Sequence, residues 1–259
     1  MIWRFQDVPL LDEARALLGY RPGKRNQDAV RTYGHICIDE AQDLSPMELR
    51  MVARRSLNGS MTVVGDIAQA TGAWANEGWD AVVGALPEKR EPRFRELTIG
   101  YRIPGPAMAL ANKVLPHAAP GLRPPQPVRT DGSAPRIVRV DDLTHGLVAV
   151  VREELEAVAE GNVAVVVPDS LVDEVRAAFE AHEMPVGGPT RHGLDQQVTV
   201  VPVRLVKGLE VDAAVVVEPA RIVDEERQGV RSLYVALTRA TKRIAVVHRE
   251  PLPAILTGP

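Results

Sequence analysis

The sequence predicts an α/β protein in which helices cover parallel sheets. Seven short apolar runs are typical of buried strands, and four amphipathic stretches alternate with them. The strand candidates are HICI at 35–38, MTVVG at 61–65, PRIVRV at 135–140, NVAVVVP at 162–168, QVTVVPV at 197–203, DAAVVV at 212–217 and RIAVVH at 243–248. The helix candidates are LRMVARRSL, LVAVVREELEAVAE, LVDEVRAAFEAH and VRSLYVALTRA. Continuous apolar strands that alternate with helices favour a parallel sheet covered on both faces.

Local signals place the ends of several elements. Ser45-Pro46-Met47-Glu48 has the form of a capping box and predicts that a helix begins just after Ser45. Asp169-Ser170 offers a similar start after the NVAVVVP strand. Segment 115–135 contains six of the 21 prolines and predicts an extended loop or linker. The charged segment 86–96 is a second break, and composition alone does not choose which of the two separates domains.

Composition excludes several classes of protein. Acidic and basic residues nearly balance, 34 against 31, which argues against a protein dedicated to coating DNA. A single cysteine excludes a disulfide framework and a cysteine-based zinc cluster, and it fits a reducing compartment. No apolar run is long enough to span a membrane, and the first residues lack a secretory pattern. We therefore expect a cytoplasmic protein with no membrane partner, whose contacts with nucleic acid are confined to a local patch.

The strongest chemical signal is HICIDEAQD at 35–43, where two adjacent carboxylates, Asp39 and Glu40, follow a strand. Open α/β sheets bind ligands at the carboxyl ends of their strands. Nucleotide hydrolysis needs one carboxylate to hold Mg²⁺ and a neighbour to orient or deprotonate the attacking water. An isolated pair of this kind is more often a solvated turn, but the surrounding nine residues favour the catalytic interpretation.

Four more segments follow DEAQD in a recognisable order: VVGDIAQ at 63–69, LTIGYR at 97–102, KGLEVD at 207–212 and YVALTRA at 234–240. The five segments together resemble the conserved boxes of superfamily 1 helicases of the UvrD/Rep type, in which DEAQD is the Walker B box. The resemblance implies RecA-like parallel sheets flanked by helices, with one incomplete RecA-like unit over 1–95 and a complete one over 96–259. It also selects 86–96 as the boundary.

The same resemblance implies ATP and Mg²⁺ as cofactors and a role for each matching residue. The implied Mg²⁺ ligand is Asp39, the catalytic residues are Glu40, Arg102 and Arg239, and the nucleotide-binding or nucleotide-sensing residues are Asp66, Gln69, Gly208 and Glu210.

Helical spacing adds an expectation for Arg239. Val230, Leu233 and Leu237 form an apolar stripe, and at about 100° per residue Arg239 lies about 180° from Val230. We therefore expect Arg239 to point away from the core, into a cleft, where an arginine finger contributes roughly 10³ to 10⁵ in rate.

One box of the family has no counterpart. No GxxxxGK[ST] segment occurs, and the nearest Gly-Lys pair, within RPGKR at 21–25, is interpreted as a basic loop. The chain therefore resembles the C-terminal part of a helicase, with the phosphate-binding loop on an upstream domain of the same protein. We expect the isolated chain neither to bind ATP tightly nor to hydrolyse it.

Several positions depart from the DNA-unwinding members of the family. Pro202 and Arg204 stand where those members have Thr-x-His before the KGLEFD box. Trp74 and Trp79 are candidate stacking platforms for a base, although a Trp that covers the core is an equal alternative. Arg204 and Lys207 are weak candidates for contacts with DNA or RNA. The basic pairs Arg54-Arg55 and Lys242-Arg243 are interpreted as solvated ends of elements.

The segments GYRIPGPAMALANKVLP, VPVRLVKGLEVDAAVV and SLYVALTRATKRIAVVH resemble the HelD-type branch. Members of that branch bind bacterial RNA polymerase and use ATP to release it from nucleic acid, which implies RNA polymerase as a partner. Three interpretations stay open: a motor part that acts on RNA polymerase, a part of a UvrD/Rep-type repair helicase that unwinds DNA, and a non-catalytic domain that only binds a partner.

Overall fold

A computed structural model describes residues 3–19, 23, 29–87, 91–190, 193–194 and 196–258. The chain forms two compact units, Met1–Arg95 and Glu96–Pro259, and each is described by itself. Apart from Gly23, the basic loop predicted at 21–25 lies outside the described residues, so the loop stays a prediction.

The first unit is a small parallel pair of strands packed against short helices. Its helices are α1 (Val8–Leu18), α2 (Pro46–Ala53) and α3 (Trp79–Val83), and its strands are β1 (Ile36–Ile38) and β2 (Met61–Val63). The two strands pair in parallel, with Ile38 opposite Val63. The core of the unit is built from Ile38, Ala41, Leu49 and Val82, so both strands turn one face towards α2 and α3.

The predicted capping box starts α2 as expected. The hydroxyl of Ser45 accepts the backbone N–H of Glu48 at 3.2 Å, and the Glu48 carboxylate accepts the backbone N–H of Ser45 at 2.7 Å. These reciprocal bonds satisfy N–H groups that have no partner inside the helix.

The basic pair Arg54-Arg55 does not end α2 in solvent, and that interpretation was wrong. The guanidinium of Arg54 donates to Asp12 at 2.8 Å and also pairs with Glu13, while Arg55 donates to Asp12 at 2.8 Å. Asp12 and Glu13 lie on α1, so these ion pairs attach α1 to α2. Sequence periodicity gave no sign of them, because the partners are 41 to 43 positions apart.

The second unit is built around a five-stranded, fully parallel sheet. The five strands are β5 (Arg136–Arg139), β6 (Val163–Val167), β9 (Val198–Pro202), β10 (Val211–Val217) and β11 (Ala240–His248). Their order in the sheet is β5-β11-β10-β6-β9, and Val215 in the central strand pairs with Val165 on one side and Ala245 on the other. Every residue of β6 and β9 is buried. The predicted α/β fold with a parallel sheet is therefore confirmed.

Among the described residues of this unit, four helices lie between the strands of this sheet in the sequence, one precedes its first strand and one follows its last, and short strands lie outside the sheet. The helices are α4 (Gly105–Ala118), α5 (Leu143–Val158), α6 (Val172–Ala181), α7 (Pro219–Glu225), α8 (Gly229–Leu237) and α9 (Ala254–Thr257); the short strands are β3 (Ile99–Gly100), β4 (Gln126–Pro127), β7 (Pro189–Thr190) and β8 (Gly193–Leu194). Among the helices in the described part of the chain, none is long and apolar enough to cross a membrane.

The proline-rich segment 115–135 is only partly a loop. Helix α4 continues to Ala118 with Pro116 inside its last turn, and Gln126–Pro127 pairs with β3 as a short strand. Val114, Leu115 and Ala118 are buried, so their packing outweighs the hydrogen bond that Pro116 cannot donate.

A buried carboxylate joins α5 to the edge of the large sheet. Glu154 is fully buried and accepts from Arg136 of β5 at 2.8 Å and from Arg243 of β11 at 2.6 Å. Burial raises the pKa of Glu154, but the guanidinium groups of Arg243 and Arg136 outweigh that effect, and the pKa lies below its ordinary value. Arg243 is thus not a solvated strand end, and the interpretation was wrong for this residue. Lys242 beside it pairs with Asp212 at 2.7 Å but stays exposed, as expected.

This arrangement predicts an acid-sensitive contribution to stability. Because the pKa of Glu154 is lowered by folding, its contribution to the free energy of unfolding is present above the unfolded pKa of about 4.5 and is lost as the pH falls through the lower folded value. Glu154→Gln should cost about 2 kcal/mol at neutral pH and should flatten the dependence of urea unfolding on pH below about pH 5.

Glu153→Gln is the matched control, since Glu153 pairs with the same Arg136 but is more than half exposed. It should cost less than about 1 kcal/mol. Equal losses in the two variants would contradict a specific role for the buried carboxylate.

Candidate functional site

Two carboxylates stand at the carboxyl end of β1. Asp39 and Glu40 are both exposed, and the Asp39 carboxylate accepts the backbone N–H of Glu40 at 2.9 Å. Glu40 has φ 52° and ψ 37°, a left-handed conformation that is uncommon for a residue with a side chain. Such a conformation persists only where neighbouring interactions hold it. The backbone of this strand-to-helix turn is therefore held in a specific left-handed conformation at Glu40, unlike that of an ordinary solvated turn.

The neighbour that holds Glu40 is Gln42, to which the sequence analysis gave no role. Gln42 is fully buried, and its amide nitrogen donates to the Glu40 carboxylate at 2.6 Å. Its amide oxygen accepts the backbone N–H of Asp66 at 3.0 Å. Asn76 supports the same turn, because its side chain donates to the backbone oxygen of Gln42 at 3.1 Å. The signal for Gln42 was its place inside DEAQD, but a sequence does not show which polar side chain is buried.

The turn after β2 continues this network. The Asp66 carboxylate accepts the backbone N–H of Ala68 at 2.9 Å and so caps the short helical turn Ile67–Gln69. Its second oxygen accepts from the side-chain amide of Gln69 at 2.7 Å. One chain of hydrogen bonds therefore lies at the carboxyl ends of two parallel strands. We call it the front network, and its members are Glu40, Gln42, Asp66 and Gln69.

Gly65 is required by the close approach of Gln42. A Cβ atom at this position would lie 2.3 Å from the amide oxygen of Gln42 and 3.2 Å from the backbone nitrogen of Ala41. The glycine of the VVGDIAQ box thus admits the buried amide that connects Glu40 to Asp66.

The two candidate tryptophans differ in their surroundings. Trp74 is 65% exposed, as a stacking platform for a base must be. Trp79 packs against the core cluster of the first unit, next to Val82 and Leu86, and so covers the core. Of the two interpretations left open for this pair, the core interpretation fits Trp79.

In the second unit, Arg102 and Glu210 lie together. The Arg102 guanidinium and the Glu210 carboxylate form an ion pair at 2.5 Å, and each side chain is about half exposed. The pair joins the LTIGYR segment to the KGLEVD segment. Gly208, two residues before Glu210, has φ 78°, and a side chain there would meet no atom within 4 Å. Glycine is therefore favoured at 208 by the left-handed backbone and not by lack of space.

Arg204 lies among acidic groups. It pairs with Asp169 at 2.5 Å, and the neighbouring Ser170 donates to Glu225 at 2.5 Å. Burial raises the pKa of Glu226, and the carboxylates of Asp169 and Glu225 raise it further against the opposing effect of Arg204. The charge of Arg204 is thus largely balanced. Lys207, the other weak candidate for nucleic acid, is half-buried in the turn that leads to β10.

The expected orientation of Arg239 was wrong. Helix α8 ends at Leu237, so Arg239 lies in the turn before β11, where helical angles do not apply. The residue is 5% exposed, and its side chain donates to the backbone oxygen of Val235 at 3.1 Å and to the Thr238 hydroxyl at 3.3 Å. The helix itself is buried from Ser232 to Leu237, so the apolar stripe does not mark a single core face.

The described residues contain no cluster of three or more His, Cys, Asp or Glu that could hold a metal ion by themselves. Mg²⁺ does not require such a cluster, because it usually keeps several waters and binds one or two carboxylates together with substrate phosphates. Asp39 and Glu40, both exposed at a strand end, fit that kind of site.

Comparisons with known proteins give distant similarities only. The sequence matches no family model and no curated protein. Among solved structures, the C-terminal domain of a possible DNA helicase from Lactobacillus plantarum WCFS1 is 21% identical, with a TM-score of 0.47 over 61% of this chain and 92% of its own. Arterivirus nonstructural protein 10, a helicase, is 12% identical, with a TM-score of 0.48 over 88% of this chain and 41% of its own.

A third solved structure, the PRRSV helicase, is 13% identical, with a TM-score of 0.44 over 82% of this chain and 34% of its own. All three neighbours are described as helicases, and this chain spans less than half the length of the two viral proteins. Similarities at these scores and identities carry no information on substrate or activity.

The front network predicts a steric cost at Gly65. Gly65→Ala should displace the Gln42 amide and lower the free energy of unfolding by about 1–3 kcal/mol, since a buried amide loses its partners. Urea unfolding checks the loss. Gly34→Ala in the same unit is the control, because a Cβ at Gly34 meets no atom within 4 Å. Unchanged stability of Gly65→Ala would show that the network is not needed for folding.

Proposed function

We propose that this chain is part of the ATP-hydrolysing motor of a superfamily 1 helicase-like protein. The observation that carries the proposal is the front network, in which Gln42 bonds the Glu40 carboxylate to the backbone of Asp66 and Asp66 holds Gln69. The DEAQD and VVGDIAQ boxes are thereby connected at the carboxyl ends of β1 and β2, the edge of a parallel sheet that binds ligands.

The residues of the first unit have chemically distinct parts in this proposal. Asp39 would hold Mg²⁺, which when bound neutralises charge on the phosphate oxygens. Glu40 would accept a proton from the attacking water, and Gln42 would keep the Glu40 carboxylate oriented for that step. The side chain of Gln69, fixed by Asp66, would contact the γ-phosphate.

The second unit would supply positive charge. Arg102 and Arg239 would neutralise the transferring phosphoryl group, and Gly208 and Glu210 would border the nucleotide. Arg102 is held by Glu210 at 2.5 Å, so phosphate must exchange with this carboxylate. Arg239 is buried and bonded within its own turn, so it would act from a fixed position and not as a swinging side chain. Preorganised positive groups stabilise developing charge without a cost of reorganisation.

The motor needs a phosphate-binding loop that this sequence does not contain. We propose that an upstream domain of the same protein supplies this loop, with its backbone amides and lysine. ATP and Mg²⁺ would then be cofactors of the combined protein.

The target of the motor is a second part of the proposal. We propose release of RNA polymerase, as in the HelD-type branch, in preference to tracking along DNA or RNA. Of the four candidates for nucleic-acid contact, Trp79 packs on the core and Arg204 is paired with Asp169. Tracking along a strand requires several exposed aromatic groups and unpaired positive charges, whereas Trp74 is the one exposed aromatic group among these candidates.

The first test measures ATP turnover in the product of the complete gene. Glu40→Gln should abolish phosphate release while a fluorescent ATP analogue still binds, and Arg239→Ala should lower kcat by about 10³ with less than about tenfold loss of affinity. Arg123→Ala removes an exposed arginine of the second unit that pairs with Glu96, and it should leave both quantities unchanged. A Glu40→Gln enzyme with normal turnover would contradict the proposed motor.

The second test separates the two targets. Immobilised core RNA polymerase should retain the gene product, and ATP should shorten the lifetime of polymerase on a nucleic-acid scaffold. Under the same conditions, a duplex with a 3′ tail should stay paired. Clear unwinding of that duplex without retention by polymerase would favour a repair helicase, and retention without any turnover would favour a domain that only binds its partner.

A further inference from the structure

Arg129 lies just after β4, outside all five boxes, and connects the LTIGYR box to the residue that directly follows the YVALTRA box. A single nitrogen of its guanidinium, Nη1, donates to the backbone oxygen of Arg102 at 2.9 Å and to the backbone oxygen of Thr241 at 2.6 Å. Thr241 lies two residues after Arg239, at the start of β11. One side chain therefore fixes the loop that carries Arg102 against the segment that carries Arg239.

Arg129 is itself held on two sides. Its Nε and Nη2 atoms donate to the Asp131 carboxylate at 3.2 and 3.0 Å, which orients the planar group. Its backbone oxygen accepts the N–H of Gly105 at 2.8 Å, at the first residue of α4. The guanidinium is thus committed to protein groups, and its position is set by both the main chain and the side chain.

Hydrogen bonds also connect the KGLEVD segment to Thr241 and Arg239. The Thr241 hydroxyl donates to the backbone oxygen of Val211 at 3.1 Å, and the Val211 N–H donates to the backbone oxygen of Arg239 at 3.2 Å. Next to Val211, Glu210 pairs with Arg102 at 2.5 Å. Three boxes far apart in the sequence are therefore joined by hydrogen bonds within the second unit, with Arg129 bridging Arg102 and Thr241.

We infer that Arg129 is a positioning residue that fixes the spacing between Arg102 and Arg239 for a polyphosphate chain. The inference rests on the proposed function, because it assigns both arginines to the triphosphate. Charged groups that act on a transferring phosphoryl group must be placed to within a fraction of an ångström, and that precision comes from neighbours that lock them. Arg129 acts through the two backbone oxygens and does not itself contact phosphate.

The test uses the 259-residue chain with ¹⁵N-labelled arginine, titrated with sodium tripolyphosphate. The side-chain Nε–H signals of Arg102 and Arg239 should shift with a common midpoint concentration. Arg129→Ala should raise the midpoint concentration for Arg102 about tenfold, because the loss of charge-assisted hydrogen bonds to two backbone oxygens lowers the affinity by about a factor of ten. Arg129→Lys keeps the charge and a single donor group, so it should restore part of the loss.

Arg123→Ala is the matched control, because it removes one positive charge from an exposed site of the same unit and should leave the midpoint unchanged. A wild-type midpoint in Arg129→Ala would overturn the positioning role and leave the proposed function standing. Absence of any shift at Arg102 and Arg239 in the wild-type chain would overturn the inference, because these arginines would then not meet a polyphosphate chain; the proposed function is judged separately, by the turnover of Glu40→Gln. If Arg129→Ala does not fold, Arg129→Lys decides: an unchanged midpoint overturns the inference, and a raised midpoint without a change in the thermal unfolding midpoint supports it.

Discussion

The structure of the second unit depends on the burial of three adjacent valine-rich strands, β6, β9 and β10. Strands that are covered on both faces carry mostly apolar side chains along their length. Several candidate functional groups stand beyond the ends of strands in this unit: Arg204 follows β9, and Arg239 immediately precedes β11. The first unit shows the same arrangement on a smaller scale, with Asp39 and Asp66 just beyond β1 and β2.

Much of the fold was predictable because it depends on local patterns. All seven strand candidates form strands, and Ser45 and Glu48 start α2 as their spacing indicated. The errors have a common physical cause, which is tertiary interaction that overrides local sequence. Pro116 is kept inside α4 by the burial of its neighbours, and Arg54, Arg55 and Arg243 find carboxylates that are distant in the sequence.

The candidate site was predictable as a set of positions but not as a geometry. The boxes indicated Glu40, Asp66 and Gln69, whereas the side chain that connects them, Gln42, is visible only once its burial is known. Helical angles misplaced Arg239 because α8 ends two residues earlier. Arg129 carried no signal for its bridging position, since the two groups that it connects are backbone oxygens, and any residue type supplies those.

The ion pairs around Glu154 also place charged groups at one edge of the large sheet. β5 is the outermost strand on its side of the sheet, where unpaired backbone groups offer a template for a strand from another molecule. Arg136 and Arg139 place positive charge on this margin, and Glu154 fixes Arg136 there from α5. Charged side chains on an edge strand disfavour pairing with a strand from another molecule, and Arg136 and Arg139 give β5 this character.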